Sequence, residues 1–218
     1  GKVDLVLFHG VLDKQKKTAA LFAKLSKGSS SLMIISKSTD VRSLATNGIP
    51  LIFENSSQWD EVTPVVNPLF RDYGFTENVS NSFSKYPPVA VPFGKFTFPA
   101  NASVLLYQRI GNVTTDRPLI LTYDDNGYKT GVVISDGIWR WRLNEFLESE
   151  KTVAFDEVFS KLIQYLSSQE DKRKFRSFPI QNEFTESEQV TFESQVYNDH
   201  YEQVFGNKID LKITDQNG

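Results

Sequence analysis

The sequence predicts an α/β fold that runs into a β-rich C-terminal segment. Three patterns carry that prediction. Two short, continuously apolar runs flank an amphipathic stretch near the N-terminus, an Asn-Gly hairpin lies in the middle, and a helical stripe precedes a change of composition.

The first run, Asp4-Leu5-Val6-Leu7-Phe8, does not alternate, so it reads as a strand buried on both faces and ended by His9-Gly10. Val11 to Leu25 is expected as a helix, with Ala19, Phe22 and Ala23 at helical spacing and Lys14, Gln15, Lys16, Lys17 and Lys24 on the wet side. Gly28 and three serines break it, and Leu32-Met33-Ile34-Ile35 is a second buried strand. Strand, helix and strand together predict a parallel crossover. Val41 to Ala45 is expected as a short helix ended by Asn47-Gly48, and Ile49 to Phe53 as a third strand or edge.

From 54 to 92, Trp59 and the prolines at 64, 68, 87, 88 and 92 interrupt the periodicity, so a long excursion over the sheet is expected. Order returns at Phe93 to Phe98 and Ser103 to Ile110. Leu119 to Tyr123 and Tyr128 to Ile134 flank Asp124-Asp125-Asn126-Gly127, whose Asn-Gly step favours positive φ at both turn positions and predicts a hairpin. Ile138 to Ser149 is expected as a helix. A second follows, with Phe155, Val158, Phe159, Leu162, Ile163 and Leu166 forming a full apolar stripe and Asp156 and Glu157 in its first turn.

After Lys172 helical periodicity disappears: 174–180 reads as extended, and 190–197 and Ile209, Leu211 and Ile213 alternate as half-buried antiparallel strands do. The boundary is expected near Asp171. An α/β domain then occupies 1–171, and 172–218 is the start of a truncated β-sandwich. Both ends read as cuts through a longer protein.

Composition narrows the chemistry. The chain has 218 residues, 39% apolar and 13% aromatic, with a formal charge of −3, two histidines and no cysteine. The missing thiol excludes Cys nucleophiles, disulfides and Cys-ligated zinc. His9 and His200 fall in different expected domains, a poor basis for a zinc site, so neither metal nor cofactor is expected. The charges are interspersed apart from Asp171-Lys172-Arg173-Lys174-Phe175-Arg176, and no basic footprint points to nucleic acid. No apolar run is long enough to cross a membrane as a helix.

Two groups of residues are candidates for function. The first is a cleft at the strand ends, where open α/β sheets bind ligands. His9 follows the first strand, Ser36 and Ser38 follow the second, and Asp136 ends the hairpin. As a hydrolase the site would use Ser36 or Ser38 as nucleophile, but no G-x-S-x-G elbow is present. The alternative is that both serines and Asp136 form turns and that His9 is hydrogen-bonded at a strand end. The second group is Trp139, Arg140, Trp141 and Arg142. Two rings and two guanidiniums suit recognition through stacking and cation–π contacts. Alternatively the tryptophans anchor the helix and the arginines bridge to carboxylates.

The segments Asp4 to His9, Tyr107-Gln108-Arg109-Ile110-Gly111, Asp136-Gly137-Ile138-Trp139-Arg140-Trp141-Arg142-Leu143 and Gln164 through Arg176 together resemble a known family. It is the class I glutamine amidotransferase-like domain of large bacterial envelope proteins that also carry von Willebrand A-type regions. The resemblance implies a flavodoxin-like three-layer core, a longer parent chain with upstream membrane segments, and an extracytoplasmic location. True amidotransferases need a Cys–His–Glu triad. With no cysteine, no catalytic residue carries over, and the resemblance implies a non-catalytic domain that contacts the rest of its parent chain or other envelope proteins, or binds a small ligand.

Overall fold

The computed structural model describes residues 3–54, 58–125, 127–168, 175–181, 185, 188–198, 203–206 and 208. Two compact units divide the chain, Gly1–Gln169 and Glu170–Gly218. In the first unit the elements are β1 (Leu5–His9), α1 (Ala19–Leu25), β2 (Ser30–Ile34), β3 (Ile52–Phe53), β4 (Trp59–Val66), α2 (Glu77–Phe83), β5 (Val89–Pro92), β6 (Phe96–Thr97), β7 (Ser103–Ile110), β8 (Val113–Asp125), β9 (Tyr128–Val133), α3 (Trp139–Ser149) and α4 (Val153–Ser167). The second unit contributes β10 (Phe175–Pro179), β11 (Phe192–Tyr197) and β12 (Gln203–Val204).

A seven-stranded sheet in the order β1-β2-β9-β8-β7-β4-β5 organises the first unit. Strands β1, β2 and β9 run parallel, with Leu7 opposite Leu32 and Leu32 opposite Gly131. Every later pairing is antiparallel, beginning with the β8–β9 hairpin that the Asn-Gly step predicts. The class is therefore mixed α/β. The parallel order of a flavodoxin-like sheet is met only across β1, β2 and β9.

Strand alternation builds two cores, one on each face. Leu32, Ile120 and Val133 face one side, where Val79 and Phe83 of α2, Trp141 of α3 and Val158, Leu162 and Leu166 of α4 cover them. Met33, Leu121, Val132 and Ile134 face the other, under Phe22 of α1, Val41 of a short 3-10 turn (Val41–Ser43) and Leu44, which joins it to a second (Ala45–Asn47). At Gly131 a Cβ would stand 2.8 Å from Leu166 Cδ1 and 3.2 Å from Leu32 Cδ1. Glycine there lets α4 lie close on the sheet.

Three expectations change. The first helix is confined to Ala19–Leu25. The Thr18 hydroxyl accepts from the Leu12 and Asp13 N–H groups, and Leu12 and Lys16 adopt positive φ, so side-chain bonds close residues 11–18 into a loop. The excursion from 54 to 92 contains two strands of the main sheet, β4 and β5. Pro64 lies opposite Gln108 of β7 but beyond Trp59 to Val62, the stretch that pairs with β5, so β4 is paired on one side only at that point, where a residue without an N–H is tolerated as on an edge strand. Last, the apolar stripe of α4 divides: Val158, Leu162 and Leu166 are fully buried, while Ile163 is exposed.

In the second unit β10, β11 and β12 form an antiparallel sheet, with Phe175 opposite Val196. His200, the cluster from Asp171 to Lys174, and the alternation at Ile209, Leu211 and Ile213 lie outside the described residues. Among the described residues no helix is long and apolar enough to cross a membrane.

Candidate functional site

The ends of the parallel strands do converge. Gly10, at φ +62°, follows β1 and donates its N–H to Ile34 O at 3.1 Å. A Cβ there would lie 2.9 Å from both the Ser36 and Ser38 hydroxyls, so only glycine fits this turn without a shift. Ser36 and Ser38 share a hydroxyl–hydroxyl bond of 2.7 Å. The Ser38 and Thr39 N–H groups return to Ser36 Oγ and O, and Thr39 Oγ1 accepts from the Ser36 N–H. This is a closed turn in which each serine has a partner. Asp136 pairs its backbone with Ala90 and accepts the Lys37 N–H on Oδ2 at 2.8 Å. Its carboxylate holds the serine turn against the end of β9. His9 is exposed and pairs with Ile34 through its backbone, but its imidazole makes no hydrogen bond among the described residues and is bonded to neither serine. Turn formation accounts for Ser36, Ser38 and Asp136.

The Trp-Arg-Trp-Arg segment separates into two roles. Trp141 is wholly buried, stacked on Tyr86 at 5.8 Å and edge-on to Phe83 at 5.7 Å, and its indole N–H donates to Pro87 O at 3.0 Å. It anchors α3 and is unavailable to a ligand, which corrects its place in the expected recognition patch. The other three residues are on the outside. Trp139 is 61% exposed, with the Arg140 guanidinium 5.7 Å from its ring. Arg142 pairs with Asp156 at 3.0 Å.

Trp139 does not stand alone. Leu143, Phe146 and Leu147 follow it at i+4, i+7 and i+8 and are 48%, 51% and 74% exposed. Ile138, Trp139, Arg142, Leu143, Phe146 and Phe155 line a groove of about 500 Å³. Burial of these side chains elsewhere is prevented because α3 already commits its opposite face, Trp141 and Glu145, to the core.

Glu145 has no signal in its sequence context, yet it is a buried carboxylate with three hydrogen bonds. Only 8% exposed, it accepts the Tyr86 hydroxyl at 2.6 Å and the Ala154 and Phe155 N–H groups at 2.8 and 3.0 Å. Those N–H groups belong to the first turn of α4, whose own N-cap, Thr152, gives no side-chain cap. One helix thus caps the next. Burial first, then the bond to the Glu145 carboxylate, pushes the Tyr86 phenol far above its ordinary range. Glu157 does the same service for α2, accepting the Thr76 N–H and hydroxyl and pairing with Lys161 at 2.8 Å. Burial pushes the Glu157 carboxyl up, but the bonds from Lys161 and Thr76 outweigh it and hold the group below the usual range. At Asp156 the Thr152 hydroxyl, at 2.6 Å, does most to lower the carboxyl, opposed by burial and helped by Arg142.

A second polar cluster lies around Asp72, which accepts the Ser103 hydroxyl at 3.0 Å and the Thr122 hydroxyl at 3.4 Å. Burial, followed by the Asp72 charge, pushes the nearby Tyr165 phenol up to about 12. The Tyr165 phenol therefore stays protonated near neutral pH. Among the described residues no group of three or more histidines and carboxylates could hold a metal ion.

The spacing of Trp139, Leu143, Phe146 and Leu147 was readable in the sequence as a second apolar face on one helix. Glu145 had no such signal, because a carboxylate at a buried helical position is recognised only by the N–H groups and phenol that the fold brings to it.

No protein-family model and no curated protein matches the sequence. Solved structures do. The chain is similar to a cytoplasmic protein of Salmonella typhimurium, at 14% identity and a TM-score of 0.48, over 75% of this chain and 71% of that one. It is similar to a cytoplasmic protein of Salmonella typhimurium LT2 at 16% identity and a TM-score of 0.44, over 72% and 71%. A β-galactosidase from Bacillus circulans sp. alkalophilus gives 10% identity and a TM-score of 0.36, over 67% of this chain and 22% of that one. None of the three is described as a glutamine amidotransferase. The extracytoplasmic location expected from the family resemblance is withdrawn, since the two Salmonella proteins are described as cytoplasmic.

Proposed function

We propose that this chain is a non-catalytic protein-contact domain that docks through the outer face of α3. The observation that carries the reading is the contiguous apolar stripe of Trp139, Leu143, Phe146 and Leu147 beside an open groove. Isolated exposed apolar residues are ordinary, whereas four on one helical face, with polar groups at their margin, suit a binding surface. Aromatic and Arg side chains are also the types that dominate interface energetics.

The strand-end residues give less support to catalysis. The Ser36 and Ser38 hydroxyls are bonded to each other, Asp136 is occupied with Lys37, and His9 stands apart from both serines in the bonding pattern. The lack of cysteine excludes the amidotransferase nucleophile. The glutamine amidotransferase-like, flavodoxin-like reading of the core is retained as a proposal for β1, β2 and β9, where the parallel crossover and the Gly10 turn support it. On this reading the scaffold persists as architecture around a site that no longer reacts.

Site-specific photocrosslinking in the native cell tests the docking reading. A photoreactive residue at position 147 should give a discrete protein adduct, while one at Lys24, on exposed α1, should not. Absence of any adduct from position 147 would sink the proposal. The purified chain should also release no ammonia from glutamine, and turnover above a no-protein blank would overturn the non-catalytic part.

A further inference from the structure

On the face of the sheet opposite α3, Met33, Val132 and Leu121 belong to the apolar core. Two residues along each strand, on the same side and toward the starts of β2 and β9, the sequence changes to Ser31, Thr130 and Tyr123. Thr130 stands opposite Ser31 on one side and Tyr123 on the other, so three hydroxyl-bearing residues form one row across β2, β9 and β8. Helix α1 has only seven residues and ends at Leu25, and Gly28, at φ +76°, turns the chain back into β2. The row is left under a hollow of about 430 Å³.

This hollow is bordered by hydrogen-bonding capacity that the fold does not use. Ser31 donates to Thr130 Oγ1 at 3.3 Å, and the Thr130 proton has no acceptor among the described residues. The hydroxyls of Ser26, Ser29 and Tyr128 also border it and make no hydrogen bond among the described residues. Asn47 spends its amide nitrogen on Ser43 O, at 2.7 Å, and keeps its side-chain oxygen as an acceptor.

The lining selects by exclusion. Among its described residues there is no carboxylate, and Lys27 is the one charge. Anions are held by several cations or by a helix N-terminus, whereas here α1 presents its C-terminal end, whose dipole disfavours negative charge. An apolar ligand would strip water from these hydroxyls and return no hydrogen bonds. A neutral polyhydroxylated molecule suits both conditions, because each of its O–H groups donates and accepts. The Tyr128 ring, 39% exposed, offers a flat apolar surface to the carbon face of a sugar ring. The volume falls within the range of about 300–1,000 Å³ usual for small-molecule sites.

We propose that this hollow binds a neutral sugar ring. The site lies across the sheet from α3 and is independent of the docking face.

Amide-resolved heteronuclear NMR on the purified chain tests it, with D-glucose, D-galactose, D-mannose and N-acetyl-D-glucosamine titrated separately and sodium phosphate as the anionic control. At least one sugar should shift the amides of Gly28, Ser29 and Gly48 saturably in the millimolar range. Thr130→Val, which keeps the shape of the side chain and removes its hydroxyl, and Tyr128→Ala should each weaken that binding about fivefold or more. Spectra of both variants without sugar should superpose on the wild type outside the hollow. If Thr130→Val loses its fold, Tyr128→Ala, at an exposed ring, decides alone. The proposal is overturned if none of the four sugars gives a saturable shift, if phosphate binds there more tightly than every sugar, or if a folded variant binds as the wild type does. Crosslinking from position 147 reads the docking face separately, so either result stands without the other.

Discussion

Replacing Glu145 by alanine should be among the most damaging single changes in the first unit, although no ligand is involved. The carboxylate receives three hydrogen bonds, from the Tyr86 hydroxyl and the N–H groups of Ala154 and Phe155. Losing the cap on α4 costs about 1 kcal/mol. Tyr86 is only 4% exposed, so its orphaned hydroxyl costs about 1–3 kcal/mol more. The expected loss is about 2–4 kcal/mol. For a domain of this size each kcal/mol lowers Tm by about 2–4 °C, so a fall of about 10 °C is expected. Urea denaturation followed by far-UV circular dichroism measures the free energy directly. Tyr86→Phe removes the donor while the two N–H groups keep their acceptor, so it should cost about 1 kcal/mol. The double variant should cost less than the sum of the singles, since Glu145→Ala no longer strands a hydroxyl. A loss below about 1 kcal/mol for Glu145→Ala, or strict additivity in the cycle, would refute the capping argument.

Three further outcomes are expected. The Asp156 and Glu157 carboxyls are held below their ordinary range in the folded chain, so the stability they contribute is complete above the unfolded carboxyl pKa of about 4 and is lost as pH falls through the folded values. Urea midpoints measured from about pH 6 downward should fall less steeply for the Asp156→Asn, Glu157→Gln double variant than for the wild type. Trp141→Ala should cost about 3–5 kcal/mol of stability, as for other buried large rings, while Trp139→Ala should stay within about 0.5 kcal/mol; equal losses in denaturant would contradict the division of α3 into a core face and an outer face. Gly10→Ala combines a positive φ with two hydroxyl contacts at 2.9 Å and should cost about 1–3 kcal/mol by thermal melting, with unchanged stability counting against the close approach of the strand ends.

Local chemistry made much of the scaffold readable. The apolar run at Leu32–Ile35 lacks alternation because both its faces are covered, whereas in the run at Leu5–Phe8 only Phe8 is buried and Leu7 stays exposed, since β1 is the edge of the sheet. The Asn-Gly turn and the α4 stripe are equally local. The loop at 11–18 reads as helix in the sequence because lysines and a threonine fit a wet helix face, and only the closure of Leu12 and Asp13 onto Thr18 excludes it. Strand β4 was hidden by Pro64, whose cost depends on which side of the strand its neighbour pairs. In the site, adjacency of Ser36, Ser38 and Asp136 followed from strand ends, but their mutual bonding did not. Trp139 and Trp141 are two residues apart and chemically alike, and only the position of Tyr86, Phe83 and Pro87 decides which is buried.

The β2–β9 pairing has a consequence for how the chain comes off the ribosome. It joins Ser31 to Thr130, residues 99 positions apart. During synthesis at about 5–20 residues per second, β1, α1 and β2 wait roughly 5–20 s before β9 emerges. For that interval the inner edge of β2, with Leu32 and Met33, has no strand to pair with and resembles the unpaired edges that recruit other chains. The β8–β9 hairpin closes locally and presents a ready-made docking edge, so the sheet is completed by capture of an early half by a late one. Slowing translation upstream of the hairpin should therefore raise the aggregated fraction, and slowing it after residue 134 should not.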